Sequence, residues 1–302
     1  NEYRYDMLIA ASQREVPPVA GVPSNAAANL GEAKSRGMEF EVSHRNTVAG
    51  GLYYWVKANW SVARSEVIYK ANAPLTPAHR ADEGFPLNQT KTSMATGIIQ
   101  SWDDLYATVG SSSGGQNPQR MPGDAALLDF DADGLYDSSD DIVPYGYPVY
   151  PQNNYGISLG LDYKGLSFSI LFAGAYNVTR NINSGHLGNE RAYVPEYLLD
   201  RTWTYNPSGA DFPALSRGPK WNPTGHYSRY DGSFFRLQNL QLAYALPQQW
   251  MSKIGMKRIE FYVNGRNLWM WSLMPDDGVG ANHDISNYPT RKQFNIGLRL
   301  QF

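Results

Sequence analysis

The sequence contains no cysteine, few charged residues and no long apolar run. Without cysteine the chain has no disulfide bond, no thiolate chemistry and no cysteine-ligated metal. No stretch of 18 apolar residues occurs and the mean hydropathy is −0.47, which excludes a transmembrane helix. Charged residues make up 18% of the chain and the net charge is −2. This balance argues against a nucleic-acid-binding protein, whose affinity comes mostly from neutralising phosphates.

Aromatic residues, glycine and proline are abundant instead. The chain has 8 Trp, 21 Tyr and 11 Phe, together with 28 Gly and 19 Pro. This composition favours strands and turns over a helical bundle. The chain opens at Asn1 directly in strand-like sequence, with no recognisable signal peptide. We therefore expect it to be the later part of a longer protein.

Alternation of apolar and polar residues with a period of two is the dominant pattern. It is clearest at the end of the chain, where Phe294, Ile296 and Leu298 alternate with polar residues or glycine. A change of phase before Leu240 predicts a β-bulge near Gln238 and Asn239. The pattern predicts about eight strands, at residues 1–10, 36–45, 52–68, 152–163, 166–179, 233–246, 258–271 and 291–302.

The connections between these strands alternate between short and long. Short turns follow the second, fourth and sixth predicted strands, and long segments occupy 11–35, 69–151, 180–232 and 272–290. Short turns on one side and long loops on the other are typical of an outer-membrane β-barrel. Predicted strands of 10–15 residues and aromatic residues near strand ends favour the same architecture. The alternative is a soluble β-sandwich, whose inner faces also alternate.

One acidic segment, Asp129–Asp140, follows the pattern of a calcium-binding loop. Carboxylates at the odd positions converge on one hard cation, and glycine at the sixth position permits the sharp turn. The candidate ligands are Asp129, Asp131, Asp133, the carbonyl of Leu135, Asp137 and Asp140. No strong helix pattern flanks the loop, which disfavours a sensor EF-hand. We predict a structural Ca²⁺ that stabilises the 69–151 segment; the alternative is a solvated acidic turn.

Enzymatic motifs have little support in this sequence. Gly110–Gly114 matches the G-x-S-x-G string, but the residues that follow do not favour the helix that a nucleophile elbow requires. The five histidines show no zinc-binding spacing, and the adjacent aspartate pairs in loops are typical of solvated turns. We therefore predict that the chain is not an enzyme. Six loop aromatics could bind a sugar or peptide, or could pack the loops together: Trp102, Trp203, Tyr205, Trp221, Tyr227 and Tyr230.

Several of these segments, in their order along the chain, resemble the SusC/RagA-type TonB-dependent outer-membrane transporters. Four stretches carry the resemblance: Asn29-Leu30-Gly31 leading to Ser35-Arg36-Gly37-Met38-Glu39-Phe40-Glu41; the Asp129–Asp141 loop followed by Tyr145-Gly146, Tyr155-Gly156 and Lys164-Gly165; Ser233–Pro247; and Tyr262–Trp269 near the terminal strand. Together they extend over nearly the whole chain.

The resemblance implies an all-β fold, a transmembrane antiparallel β-barrel with long extracellular loops. Residues 1–302 would be the C-terminal part of a 22-stranded plugged barrel and supply about its last eight strands. The family's plug domain and TonB box lie N-terminal and are not in this chain. The implied function is import of oligosaccharides or peptides across the cell outer membrane, and the alternative is a soluble, Ca²⁺-stabilised β-sandwich that binds glycans.

The resemblance also implies partners. These are a SusD-like surface lipoprotein, the remainder of the barrel and its plug, the TonB complex and outer-membrane lipid. In such a barrel one set of polar side chains should face the lumen: Glu39, Glu41, Lys57, Asn59, Asp162, Asn295 and Arg299.

Overall fold

A computed structural model describes residues 2–9, 28–70, 72, 76–112, 120–182, 196–204, 206–215, 225–251, 255–275 and 291–302. Its strands are β1 (Glu2–Ile9), β2 (Ala28–Val48), β3 (Leu52–Tyr69), β4 (Gln89–Ser93), β5 (Ala95–Ile98), β6 (Gly110–Ser111), β7 (Ala125–Leu127), β8 (Leu135–Tyr136), β9 (Ile142–Pro148), β10 (Asn153–Tyr163), β11 (Leu166–Tyr176), β12 (Thr179–Asn181), β13 (Arg229–Asp231), β14 (Phe234–Ala245), β15 (Arg258–Ser272) and β16 (Gln293–Gln301). Two short α-helices, α1 (Trp102–Ala107) and α2 (Gln248–Met251), and two 3₁₀ turns, Glu196–Leu198 and Gly225–Ser228, complete the described elements.

Eight of these strands form one large sheet in the order β1-β2-β3-β10-β11-β14-β15-β16. Each strand is antiparallel to its neighbours, so the sheet follows the chain from one edge to the other. The all-β prediction and the eight predicted strand positions are confirmed. Within the described residues β1 and β16 are the two edges and the sheet is open. Closure into a 22-stranded barrel stays a prediction.

The hairpin turn between β10 and β11 shows why the short connections are tight. Lys164 and Gly165 both have positive φ, 46° and 89°. Two central residues in this region form the turn whose twist matches a two-residue hairpin. A Cβ at Gly165 would lie 2.5 Å from the carbonyl oxygen of Ala245 on the neighbouring strand. Glycine is therefore required here both by the backbone angle and by the close approach of β14.

The predicted irregularity in β14 is also confirmed. Asn239 pairs with Leu171 and Leu237 pairs with Phe172, so Gln238 is the extra residue of a β-bulge. The bulge returns the apolar side chains on both sides of it to the same face of the sheet.

One strand, β2, is much longer than the alternating pattern predicted. β2 has 21 residues and begins at Ala28, whereas the pattern predicted a start near residue 36. Its first part pairs with both β1 and the end of β3, through the register Glu2–Arg36–Arg64. This extension carries charged side chains on the face that is apolar further along. Hydrophobic alternation therefore marks only the apolar portion of the strand.

The long segments contain structure that the sequence pattern did not predict. Three two-stranded sheets, β4-β9, β5-β7 and β6-β8, fold the segment between β3 and β10, and β12-β13 extends the segment between β11 and β14. Small cores hold them together: Ala125, Leu127 and Tyr136 form one, and Leu198 with Phe212 forms another. Helix α1 begins at a capping box in which Ser101 and Asp104 bond each other's backbone N–H. No helix in the described part of the chain combines the length and the apolar character needed to cross a membrane.

Candidate functional site

The large sheet has one face that is apolar from strand to strand. The hydrogen-bonded register aligns residues of six successive strands in one row: Tyr54, Leu161, Phe168, Leu242, Val263 and Ile296. Many large apolar side chains on this face are exposed, and Ile296 is 85% exposed. An exposed apolar surface of this extent marks a face that contacts lipid or another apolar partner.

The opposite face carries polar and charged groups in linked pairs. Lys57 Nζ lies 3.0 Å from a carboxylate oxygen of Glu41. Asn295 Nδ2 donates to Asn264 Oδ1 at 2.8 Å. The register places the whole predicted lumen-facing set on this face: Glu39, Glu41, Lys57, Asn59, Asp162, Asn295 and Arg299. A two-faced antiparallel sheet of this kind is typical of the wall of an outer-membrane β-barrel.

A buried carboxylate organises the polar face near the end of the last strand. Glu260 on β15 is 5% exposed. Arg299 Nη1 of β16 donates to its Oε1 at 2.7 Å, and Arg258 donates to the other carboxylate oxygen. The Arg299 guanidinium also lies over the ring of Tyr262, 4.8 Å from its centroid. These contacts link the last two strands on the side away from the apolar face.

The soluble β-sandwich of the alternative prediction would bury its apolar rows against a second sheet. In the described residues those rows are exposed, and the small sheets of the long segments have cores of their own. The arrangement therefore favours the membrane wall over the sandwich.

The acidic loop brings together three of its six candidate ligands. Carboxylate oxygens of Asp129, Asp131 and Asp133 all lie within 4.8 Å of one another. Gly134, with φ at 92°, donates its N–H to Asp129 Oδ2 at 2.8 Å and so turns the loop back on itself. Slight desolvation, with the negative charges of Asp133 and Asp141, raises the pKa of Asp131 above its ordinary value. Carboxylates held this close repel one another, and a bound cation would offset that repulsion.

The remaining candidate ligands have other contacts in the structure. The Asp140 carboxylate pairs with Arg80, and His79 Nε2 lies 2.8 Å from the Asp140 carbonyl oxygen. Asp137 accepts hydrogen bonds from Ser139 and from Ser112, which lower its pKa to about 2. The Leu135 side chain is exposed.

Asp141, which the calcium-loop pattern did not include, closes the acidic loop. It is 1% exposed, and its two carboxylate oxygens each accept a backbone N–H at 2.6 Å, from Phe130 and from Asp137. It therefore joins the beginning of the loop to its end. The adjacent pair Asp140-Asp141 was the only sequence signal, and that signal does not distinguish the buried carboxylate from the exposed one.

The predicted substrate-binding aromatics occupy different surroundings. Trp102 on α1 is 58% exposed, and Tyr106, one helical turn later, is exposed as well. Trp203 is half-buried, and its Nε1 donates to Gln100 Oε1 at 3.0 Å. Tyr205 and Trp221 lie outside the described residues.

Tyr227 and Tyr230 pack the long segments against one another. Both contact the cluster of Leu198 and Phe212, and Tyr227 also contacts the cluster around Tyr136. Burial and the neighbouring Tyr197 raise the pKa of Tyr230 above its ordinary value. For these two residues the contacts favour the packing interpretation, and sugar or peptide binding stays a prediction.

Known proteins resemble this chain in both sequence and fold. It is 25% identical over 312 residues to TonB-dependent receptor P3 of Formosa agariphila, covering 96% of this chain and 30% of the receptor. It is 30% identical over 208 residues to TonB-dependent receptor P26 of the same organism, covering 63% of this chain and 21% of that receptor. No protein-family model matches the chain.

Among solved structures, the RagAB peptide transporter superposes with a TM-score of 0.69 and 21% sequence identity, over 98% of this chain and 32% of that chain. The resemblance to SusC/RagA-type TonB-dependent transporters is thereby confirmed. These relatives are named as receptors and transporters, in keeping with the predicted absence of enzyme activity. The chain spans less than a third of the length of each of them.

Proposed function

We propose that this chain forms part of the wall of a TonB-dependent transporter in the outer membrane. The observation that carries the proposal is the two-faced sheet, whose exposed apolar face suits hydrocarbon and whose polar face suits a water-filled lumen. The names of the sequence relatives support the transport class. The wall itself performs no covalent chemistry in this proposal; it encloses the path of the substrate.

The substrates we propose are peptides or oligosaccharides. RagAB, whose fold resembles that of this chain, is a peptide transporter, and this supports a peptide substrate. The polar pairs of the inner face, Lys57 with Glu41 and Arg299 with Glu260, give the lumen charges of both signs. Such a surface suits zwitterionic peptides and does not select strongly for net charge. Energy would come from a TonB complex acting on a plug domain that other parts of the protein supply.

A SusD-like lipoprotein is the proposed outer partner. The fold shared with the RagAB peptide transporter, together with the sequence resemblance to SusC/RagA-type transporters, supports this partnership. On this chain the exposed Trp102 and Tyr106 of α1 are our candidates for contact with the lipoprotein or the substrate, because exposed aromatics are enriched at protein interfaces.

We also propose that the acidic loop binds a structural Ca²⁺. The motif spacing and the convergence of Asp129, Asp131 and Asp133 support this site. Asp141, with its two backbone hydrogen bonds, would hold the ends of the loop in place.

The transport proposal is tested with the full-length protein in its native host. The gene is deleted, growth is measured separately on peptides and on oligosaccharides as sole nutrient, and the wild-type gene is restored. We expect the wild-type protein to fractionate with the outer membrane and to show heat-modifiable migration, and its loss to slow growth on one nutrient class. A protein recovered in the soluble fraction that binds glycans would instead favour the soluble sandwich.

A further inference from the structure

A cavity of about 880 Å³ lies on the apolar side of the large sheet, where β2 and β3 change from apolar to charged residues and β10 begins at Asn153. Met38 and Val62 are paired across β2 and β3, and the next pair on the same face is Arg36 and Arg64. Apolar character therefore ends at the same level in both strands. If the proposed function is correct, this level is the boundary between hydrocarbon and headgroups. About 9–11 residues of a tilted strand cross a bilayer, and the part of β2 that begins at this level, Met38–Val48, has a matching length.

The charges around the cavity are not balanced. Three cations, Lys34, Arg36 and Arg64, and two carboxylates, Glu2 and Glu66, line it. Lys34 pairs with Glu66 at 2.7 Å and Arg36 pairs with Glu2 at 2.9 Å. In the part of the chain that the structure describes, Arg64 has no carboxylate within ion-pair distance. It lies directly opposite Arg36, and like charges in that position destabilise a sheet. A bound anion would remove this repulsion.

A buried donor in the same cavity is also without a partner. Asn153, the first residue of β10, lines the cavity and is only 2% exposed. Its side-chain Nδ2 is shielded from solvent and has no hydrogen-bond acceptor among the described residues. A buried amide donor without an acceptor destabilises the folded chain, because it has lost its hydrogen bonds to water and gained none in return. An acceptor-rich ligand in the cavity would offset that cost.

The lower part of the cavity is apolar. Met38 and Trp60 line it, and Trp60 stacks with the exposed Phe40 at a centroid distance of 5.7 Å. The site thus combines cations and an amide donor at one end with an exposed aromatic and aliphatic surface at the other. Amphiphiles with a phosphorylated head and acyl chains match both ends, because phosphate oxygens accept several charge-assisted hydrogen bonds.

We propose that this cavity binds the headgroup of a phosphorylated membrane lipid. The phosphate contacts Arg64, Arg36 and the Asn153 amide, and the acyl chains lie along Met38, Trp60 and Phe40. The proposal rests on the proposed function, which places the apolar face in lipid. It assigns to this wall a specific lipid site in addition to general contact with the bilayer.

The test uses the purified full-length protein in detergent and native mass spectrometry. The probes are dioleoyl phosphatidic acid, dioleoyl glycerol, which lacks the phosphate, and inorganic phosphate, which lacks the chains. We expect the wild-type protein to bind the phosphatidic acid with a defined stoichiometry and more tightly than either other probe. Arg64→Ala should weaken that binding about tenfold or more, the effect of losing a charge-assisted hydrogen bond. Glu66→Gln should tighten it about threefold, because it removes a competing exposed carboxylate.

Arg45→Ala is the matched control. Arg45 is an exposed arginine of β2, the strand that pairs with the strand of Arg64, but the register places it on the polar face. This variant should leave lipid binding unchanged. Equal weakening by Arg64→Ala and Arg45→Ala, or equal binding of phosphatidic acid and dioleoyl glycerol, would overturn the proposal. Each variant is also checked for outer-membrane fractionation. A wild-type protein absent from that membrane refutes the proposed function, whereas a correctly located protein without selective lipid binding refutes the lipid site alone.

Discussion

Replacing a single residue on each face of β16 tests the orientation of the wall. Leu298 pairs with Phe261 on the apolar face, and Asn295 pairs with Asn264 on the polar face. Both residues are exposed and lie three positions apart in the same strand, so they form a matched pair. We expect Leu298→Arg to destabilise the assembled protein and Asn295→Arg to be tolerated.

The expected magnitude follows from the environment of each side chain. An arginine on the lipid face costs about 2–4 kcal/mol near the bilayer midplane and less near the interfaces. Leu298→Arg also removes the apolar cross-strand partner of Phe261. Asn295→Arg loses one side-chain hydrogen bond of 2.8 Å, which contributes about 0.5–1.5 kcal/mol, and the new guanidinium remains hydrated in the lumen.

The assay is urea unfolding of the full-length protein folded into lipid vesicles, followed by heat-modifiable migration on gels. We expect Leu298→Arg to lower the free energy of unfolding by about 2–4 kcal/mol, with Asn295→Arg within about 1.5 kcal/mol of wild type. Equal losses for the two variants, or a greater loss for Asn295→Arg, would refute the assignment of faces.

Three further predictions concern the acidic loop and a hairpin. Asp129→Asn should weaken Ca²⁺ binding measured by calorimetry, while Asp103→Asn in α1 should not; equal affinities would contradict the site. Hydrogen bonds from the hydroxyl and backbone N–H of Ser139 and from the Ser112 hydroxyl hold the pKa of Asp137 at about 2, below its unfolded value of about 3.9. Their stabilising contribution is therefore complete above about pH 4 and is lost as the pH falls towards 2. Pepsin digestion should therefore begin at higher pH in Ser112→Ala, and an unchanged onset would refute that coupling. Gly165→Val should cost about 1–2 kcal/mol or more at φ 89° and slow vesicle insertion, and wild-type insertion kinetics would count against the hairpin geometry.

The sheet could be predicted from sequence because one side of each strand differs chemically from the other. The alternation that ends in Phe294, Ile296 and Leu298 gives both the strand and its face, and the change of phase before Leu240 locates the bulge at Gln238. The outer part of β2 could not be found this way. Arg36 is held in the sheet by an ion pair and by backbone hydrogen bonds. Neither interaction produces an alternation of apolar and polar residues that the sequence would show.

The long segments were predicted less well for a related reason. Strands such as β6 and β8 have two residues each, too few to show any period. In the acidic loop, spacing located Asp129, Asp131 and Asp133 correctly as neighbours. It did not show that Asp140 pairs with Arg80, because that contact joins residues 60 positions apart. A local motif predicts that carboxylates close in sequence lie close in space, whereas an ion pair between distant residues depends on the folded chain.

The length of β2 has a consequence for how large molecules would enter the protein. A bilayer requires about 9–11 residues of a tilted strand, and β2 has 21. In the proposed barrel about ten residues would therefore stand above the membrane, roughly 30 Å measured along the strand at about 3.3 Å per residue. A closed rim of this height would surround a vestibule deep enough to hold an extended oligomer of several units above the level of the lipids. Cargo would then be confined first and moved inward afterwards.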